Sequence, residues 1–369
     1  MSHAAAARSA WYMALKGGKG MRLLPADPGI GPAAAAAAVS RQAWLLPSRQ
    51  LLRWAGLTGG SSRSAAAAAA AVGTGSSGGS SSSGAKPKAV AERIGFIGAG
   101  QMGEALIRGF IKARVSTPGK ICCSVRDLDR QDALERIGIG SIFGDATEGG
   151  SEEVARFARI IVLCTKPQAM PEVLESLAPH ITPDHLVVSV AAGMTLATLE
   201  QALGESARVV RVMPNTPSLV QSGASAFCLG RNATQQDADV VETLFCSVGF
   251  CIQVQEKQMD AVTGLSGSGP AFVYLMIEAL ADGGVAAGLP RDTALALAAK
   301  TVAGAAQMVF SDDETSVLGL VHPGVLKDRV ASPAGTTIEG LAELESSGVR
   351  GAFIRAVKRA AARSKELAG

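Results

Sequence analysis

The 369-residue chain has only four histidines, His3, His180, His185 and His322, and no pair of them shows an HxxxH spacing. Its six cysteines, at 122, 123, 164, 228, 246 and 251, form no CxxC pair, so neither ligand type supports a zinc site. They read as small buried thiols, with a redox pair at Cys122 and Cys123 as the sharper alternative. No clean run of 18 apolar residues is present, which argues against a membrane-spanning helix. Aromatics are only 4% of the chain, too few to build the stacking platforms that single-stranded nucleic acid needs. Acids are nearly missing from the first 91 residues, where Asp27 stands alone against ten Lys or Arg. The remaining 278 residues hold 25 basic and 31 acidic side chains, so the net charge of +3 averages a basic segment and a mildly acidic body. Nucleic-acid binding by that body is disfavoured.

The chain has 47% hydrophobic and 18% charged residues, enough for a packed core, and length alone suggests two or three domains at roughly 150 residues each. Residues 1–92 stand apart. They carry alanine runs at 33–38 and 65–71, scattered arginines and a Gly/Ser tract at 73–84. Basic, Ser-rich, acid-poor composition predicts a disordered transit peptide and linker, with the chloroplast as destination and the mitochondrion or cytoplasm as alternatives. An ordinary low-complexity tail is the plainer reading.

From residue 93 the texture alternates. Apolar, β-branched strands are expected at 93–97, 120–125, 159–164, 186–191 and 208–213, separated by amphipathic helices at 101–113, 128–136, 168–178 and 195–203. This rhythm predicts an α/β domain over 93–257, a Rossmann-type doubly wound sheet finished by strands at 224–229 and 250–254 around a helix at 234–247. Beyond 258 only helical patterns occur, at 268–287, 291–310, 323–331, 336–346 and 349–367, which predicts an all-helical second domain over 258–369.

The strand at 93–97 runs into Gly98-Ala99-Gly100-Gln101-Met102-Gly103 at the head of a helix. In such a G-x-G-x-x-G turn Gly98 permits the tight bend, Gly100 lets backbone approach a pyrophosphate, and Gly103 lets the helix pack on the strand. The second strand ends in Ser124-Val125-Arg126, where an NAD enzyme usually places a carboxylate. Arg126, aided by Ser124, suits a 2′-phosphate and favours NADPH; Asp127 keeps NADH open by offering an acceptor to a 2′-hydroxyl. Thr165-Lys166-Pro167 and Asn215 follow later strands and complete the expected cofactor site, Asn215 toward the nicotinamide or its ribose. Plain turn chemistry is the alternative for both loops.

With Lys166-Pro167, the run Val212-Met213-Pro214-Asn215-Thr216-Pro217, the run from Asp260 to Ala271 and Ser332-Pro333-Ala334-Gly335-Thr336-Thr337 in this order, the chain resembles the Δ1-pyrroline-5-carboxylate reductase family. The likeness covers 93 to about 367 and is nearest to the plant and algal type, here with an N-terminal extension. It implies reduction of the cyclic imine pyrroline-5-carboxylate by NAD(P)H to L-proline, the final step of its biosynthesis. It also implies a helical dimerisation domain, a homodimer or larger ring of dimers, and an active site between the domains to which the partner subunit contributes helices.

That chemistry needs alignment and a polarised C=N bond rather than a nucleophile, so no catalytic His or Cys is required. Ser332, Gly335 and Thr336 lie at the head of the 336–346 helix, where backbone N–H groups and the Ser332 hydroxyl suit a substrate carboxylate. Thr337 is the catalytic candidate by the family likeness, hydrogen-bonding the ring nitrogen; by spacing alone this segment is also an ordinary helix cap. Ser266 and Ser268 sit in a segment with three glycines in six residues, expected to be a mobile loop that walls the substrate pocket, with either serine able to cap the next helix.

Two features depart from the family pattern. Ala334 replaces the usual glycine, which matters if the backbone there needs positive φ. The acidic segment 311–322 is longer than usual and reads as an inert loop, with a lid or assembly contact as the alternative. Two other functions fit a Rossmann domain joined to helices. A 3-hydroxyacid dehydrogenase would need a helical-domain lysine, and Lys300 and Lys327 are the only plausible candidates, neither in a matching motif. A noncatalytic NADPH sensor would bind cofactor without turnover.

Overall fold

The computed structural model describes residues 11–14, 22–25, 89–311 and 318–367. In the N-terminal extension a short antiparallel pair joins Trp11–Ala14 to Arg22–Pro25, while the expected disorder and transit function of the rest lie outside the described residues. The same holds for residues 312–317 of the acidic segment.

The α/β half is one eight-stranded sheet. Its strands are β1 (Ile94–Ile97), β2 (Ile121–Ser124), β3 (Ser141–Phe143), β4 (Ile160–Leu163), β5 (Leu186–Ser189), β6 (Arg208–Met213), β7 (Gly223–Leu229) and β8 (Gly249–Gln253). Their order across the sheet is β8-β7-β6-β5-β4-β1-β2-β3. The strands β1 to β6 run parallel, β7 is antiparallel to β6, and β8 is parallel to β7. Because the chain builds outward from β1 to β3 and then returns to place β4 on the other side of β1, a crevice opens between the carboxyl ends of β1 and β4.

The central strands are apolar without interruption because helices cover both faces. On one face Phe96, Val188, Val210 and Phe227 meet Leu106 and Phe110 of α1 (Gln101–Lys112) and Phe245 of a later helix. Phe110 packs with its ring centroid 6.2 Å from Phe96 and 6.1 Å, edge-on, from Phe245. A short α2 (Leu128–Glu135) adds Leu134 to this layer. The other face packs Ile97, Ile161, Val187 and Val209 against α3 (Gly150–Phe157), α4 (Met170–Leu177) and α5 (Leu196–Leu203). The helix α6 (Gln235–Cys246), which carries Phe245, is closed at its start by a capping box of Thr234 and Asp237.

Several expectations are corrected. Both β3 and α3 lie in a stretch to which the sequence pattern assigned no element, and Val90, assigned to the extension, is buried in the core with its N–H bonded to the Val115 carbonyl at 2.8 Å. Cys122 and Cys123 point to opposite faces of the sheet, one into each core layer, which removes the vicinal redox pair. Burial pushes the thiol of Cys123 up to about 12, far from reactive thiolate. Cys246, read as buried, is exposed.

In the helical half, α7 (Met259–Val262) continues through a π-helical turn, Thr263–Gly267, into α8 (Gly269–Ala286). The expected mobile loop is therefore a helical segment. It is held by α12 (Val349–Leu367): a Cβ on Gly264 would lie 2.6 Å from the Val357 carbonyl oxygen, so only glycine lets the two backbones approach. The Ser364 hydroxyl adds a 2.8 Å hydrogen bond to Asp260. An antiparallel pair follows, α8 with α9 (Arg291–Val309), then α10 (Pro323–Val330) and α11 (Thr336–Ser346). Between α8 and α9 the buried contacts are small, at Ala281, Ala294 and Ala298.

Candidate active site

The crevice at the carboxyl ends of β1 and β4 is a cleft of about 490 Å³ lined by Gly98, Gly100, Ser124, Arg126, Thr165 and Lys166, among others. Gly98 has φ +83, and a Cβ there would lie 2.6 Å from Thr165. A Cβ on Gly103 would come within 2.8 Å of the Gly98 carbonyl oxygen, whereas one on Gly100 would meet nothing within 4 Å. The three glycines thus divide the work: Gly98 and Gly103 bring helix and strand loops together, and Gly100 leaves open space at the helix start. No side chain caps the N-terminus of α1 at Gly100, so its backbone N–H groups, with those of Gln101, Met102 and Gly103, suit a phosphate. Ala99 is buried beside them.

In the same cleft the Ser124 hydroxyl is buried and has no hydrogen-bond partner among the described residues. A buried polar atom at a cleft wall is costly until something fills that role, which fits a phosphate-bearing dinucleotide. Arg126 reaches over the same region with its side chain 76% exposed, and its Nε donates to Asp145 Oδ2. The Arg126 guanidinium, together with two bonds from Thr147, lowers the Asp145 carboxyl to about 2. Asp127, the alternative acceptor for a 2′-hydroxyl, instead caps α2 by accepting from Asp129 N–H at 2.9 Å. Thr165 is half-buried with its hydroxyl 3.6 Å from the Met170 sulfur, and Lys166, which lines the cleft, precedes a short 3₁₀ turn that begins at Pro167, itself not part of the lining.

Asn215 is buried between the two halves. Its Nδ2 donates to the Ser266 carbonyl at 3.0 Å and its Oδ1 accepts from Ala224 N–H at 2.9 Å. The carboxamide joins the loop after β6 to the π-helical turn, so it helps to fix the two halves together. Ser266 is tied in the same way, its hydroxyl donating to the Val262 carbonyl at 3.1 Å. Ser268 occupies the cap position of α8 without a side-chain capping bond.

Ser332, Gly335, Thr336 and Thr337 cluster at the head of α11, with Gly335 at the cap position and no side-chain capping bond. The plain capping reading is therefore set aside, and the N–H groups of this 11-residue helix are available to an anion. Gly335 N–H bonds the Ser332 carbonyl at 3.1 Å, and a Cβ on Gly335 would lie 2.2 Å from the Ser332 hydroxyl. Ala334 has φ +52, the left-handed conformation that favours glycine. Among the described residues no hydrogen bond or ion pair links this loop to the glycine-lined cleft. Of the two lysines weighed for other chemistry, Lys300 is exposed on α9 and Lys327 is paired with its neighbour Asp328 at 2.5 Å.

Sequence reasoning missed Asp145, Thr147, Arg130 and Glu172, all on the cleft wall. Asp145-Ala146-Thr147 carried a signal, an Asp whose carboxylate accepts from the N–H two residues on, as Asx turns do. Arg130 is held by Glu104 of α1, which also pairs with Arg108 at 2.7 Å.

Two family models match. Residues 256–367 fit pyrroline-5-carboxylate reductase dimerisation, and residues 93–193 fit NADP oxidoreductase coenzyme F420-dependent. A pyrroline-5-carboxylate reductase of Methanosarcina acetivorans is 49% identical over 277 residues, 75% of this chain and 98% of that protein. One from Glycine max is 47% identical over 275 residues, covering 74% and 95%. Among solved structures, Plasmodium falciparum pyrroline carboxylate reductase with NADP bound aligns at TM-score 0.66 and 32% identity, over 76% of this chain and 99% of that one.

Proposed function

The chain belongs to the pyrroline-5-carboxylate reductase family, and from that membership we propose that it reduces the C=N bond of pyrroline-5-carboxylate with NADPH to give L-proline. The observation that carries this reading is the 49% identity over 277 residues, a span at 75% of the chain that neither half could supply alone. Bound NADPH supplies the hydride that the imine carbon receives.

The protein's part is to hold and orient. The N–H groups behind Gly98-Ala99-Gly100-Gln101-Met102-Gly103 take the pyrophosphate, and Ser124 with Arg126 takes the 2′-phosphate. Thr165 and Lys166 wall the cleft, and Pro167 fixes the turn that follows them, on the side we assign to the nicotinamide. Asn215 acts at one remove, by fixing the loop after β6 to Ser266. The backbone at Gly335 and Thr336 and the Ser332 hydroxyl receive the substrate carboxylate, Thr337 hydrogen-bonds the ring nitrogen, and Ser266 and Ser268 wall the pocket. A hydroxyl is a poor acid at neutral pH, so Thr337 orients the ring and passes on a proton from solvent.

The division into a cofactor domain, 93–257, and a dimerisation and substrate domain, 258–369, follows the same assignment. The exposed apolar side chains of α8 and α9 support assembly with a second copy. That copy brings its own helices to complete the site left open between the cleft and the 332–337 loop, and dimers in turn form a larger ring. The composition of residues 1–92 supports delivery to the chloroplast and removal of the segment after import. A fluorescent fusion of those residues should collect in plastids; cytosolic fluorescence would refute it.

The decisive assay mixes the full chain with NADPH and pyrroline-5-carboxylate. Nicotinamide absorbance should fall as proline accumulates. Turnover of a 3-hydroxyacid without turnover of the imine would overturn the reading, and so would NADPH binding with no turnover of either.

A further inference from the structure

Arg126 lies at the mouth of the cleft on a long, exposed side chain, a poor starting point for gripping a phosphate. Left to itself such a side chain samples many rotamers and loses that freedom on binding. Here one edge of the guanidinium is already used, because Nε donates to Asp145 Oδ2. Asp145 is in turn unable to follow a wandering partner. Its other oxygen accepts from Thr147 N–H at 2.9 Å and from the Thr147 hydroxyl at 2.7 Å, and the carboxylate side chain is only 12% exposed. The two terminal nitrogens of Arg126 have no partner among the described residues, and the unpartnered Ser124 hydroxyl lines the same cleft.

We infer that Asp145, in the loop after β3, is a positioning residue for cofactor choice: it anchors Arg126 through Nε so that the terminal nitrogens face the 2′-phosphate of NADPH. Asp145 touches no cofactor atom in this role. Its carboxyl remains ionised throughout the neutral range, so the anchor does not depend on pH there. The inference rests on the NADPH reading above, and it adds a residue at which selectivity over NADH is set without direct contact.

The test is equilibrium titration of the full chain with NADPH and, separately, NADH, followed by nicotinamide fluorescence, so that imine turnover is not needed. Asp145→Asn keeps an oxygen for Thr147 and removes the charge that holds Arg126. It should weaken NADPH about fivefold, the scale of one immobilised long side chain, and change NADH less than about twofold. Arg126→Ala should weaken NADPH more than Asp145→Asn does, and Asp145→Asn added to Arg126→Ala should have no further effect. Parallel weakening of both dinucleotides would show a merely structural Asp145 and overturn the inference. Tighter NADPH binding by Asp145→Asn would overturn it too, by showing that the carboxylate competes with the phosphate. A wild-type chain that bound neither dinucleotide would sink the cofactor reading and this inference with it, a result distinct from either variant outcome.

Discussion

The sheet half and the helical half use apolar residues in opposite ways. In the sheet half Phe96, Phe110, Phe227 and Phe245 are fully buried by the chain's own helices, and the two core layers are continuous. From α8 onward the hydrophobic side chains that reach full burial are alanines, while Tyr274, Leu275, Phe310 and Ile354 are each more than half exposed. An exposed apolar surface of that extent marks an interaction site, and the match of residues 256–367 to a dimerisation model says what covers it. The contrast teaches that the sheet half completes its apolar core within one chain, whereas the helical half leaves apolar surface for a second copy to cover.

That contrast can be broken or sharpened by substitution. The largest effect is expected in the self-contained core. Phe110→Ala removes the ring lying between Phe96 and Phe245 and should cost about 3–5 kcal/mol, read by denaturant unfolding. If the sheet half is autonomous, that loss will not depend on protein concentration. On the helical side, Leu275→Glu places a charge in the surface beside Tyr274 and Leu295. It should yield monomers by sedimentation and lower imine reduction roughly 100-fold, while NADPH still binds. An active monomer would end the distinction between the halves.

Thr337→Ala sharpens the comparison at the substrate loop. We expect kcat to fall about tenfold or more with NADPH affinity unchanged, since the threonine stands on α11 and is not among the residues that line the glycine cleft. Equal losses in both would remove Thr337 from the ring nitrogen. The smallest effect belongs to Ala334→Gly, which relieves a left-handed alanine and should raise stability by about 0.5–1 kcal/mol in thermal unfolding. A destabilised variant would mean that the Ala334 methyl packs against a partner in the assembly.

Much of this was legible before any coordinates. The glycine turn after β1, its following helix and the arginine beyond the end of β2 were read from spacing, because local backbone geometry and cofactor charge demand those residue types. The short β3 was not legible, since three residues between Gly140 and Gly144 leave no room for a period. Helix α3 hid behind Gly149-Gly150, which looks like a turn; Gly150 is needed because a Cβ there would lie 2.4 Å from the Gly144 carbonyl oxygen. The π-helical turn was misread for a related reason. Its glycines serve close packing against α12, a contact with residues almost a hundred positions later.

The sequence by itself determined the two-part architecture, the dinucleotide turn and the family, because periodicity and short motifs report interactions between neighbours in the chain. Tertiary structure alone decided that Asp145 holds Arg126, that Asn215 clamps the two halves, and that Ala334 sits at positive φ. Asp145 and Asn215 act through hydrogen bonds to residues 19 and 51 positions away, and no local pattern encodes which distant partner a side chain will meet.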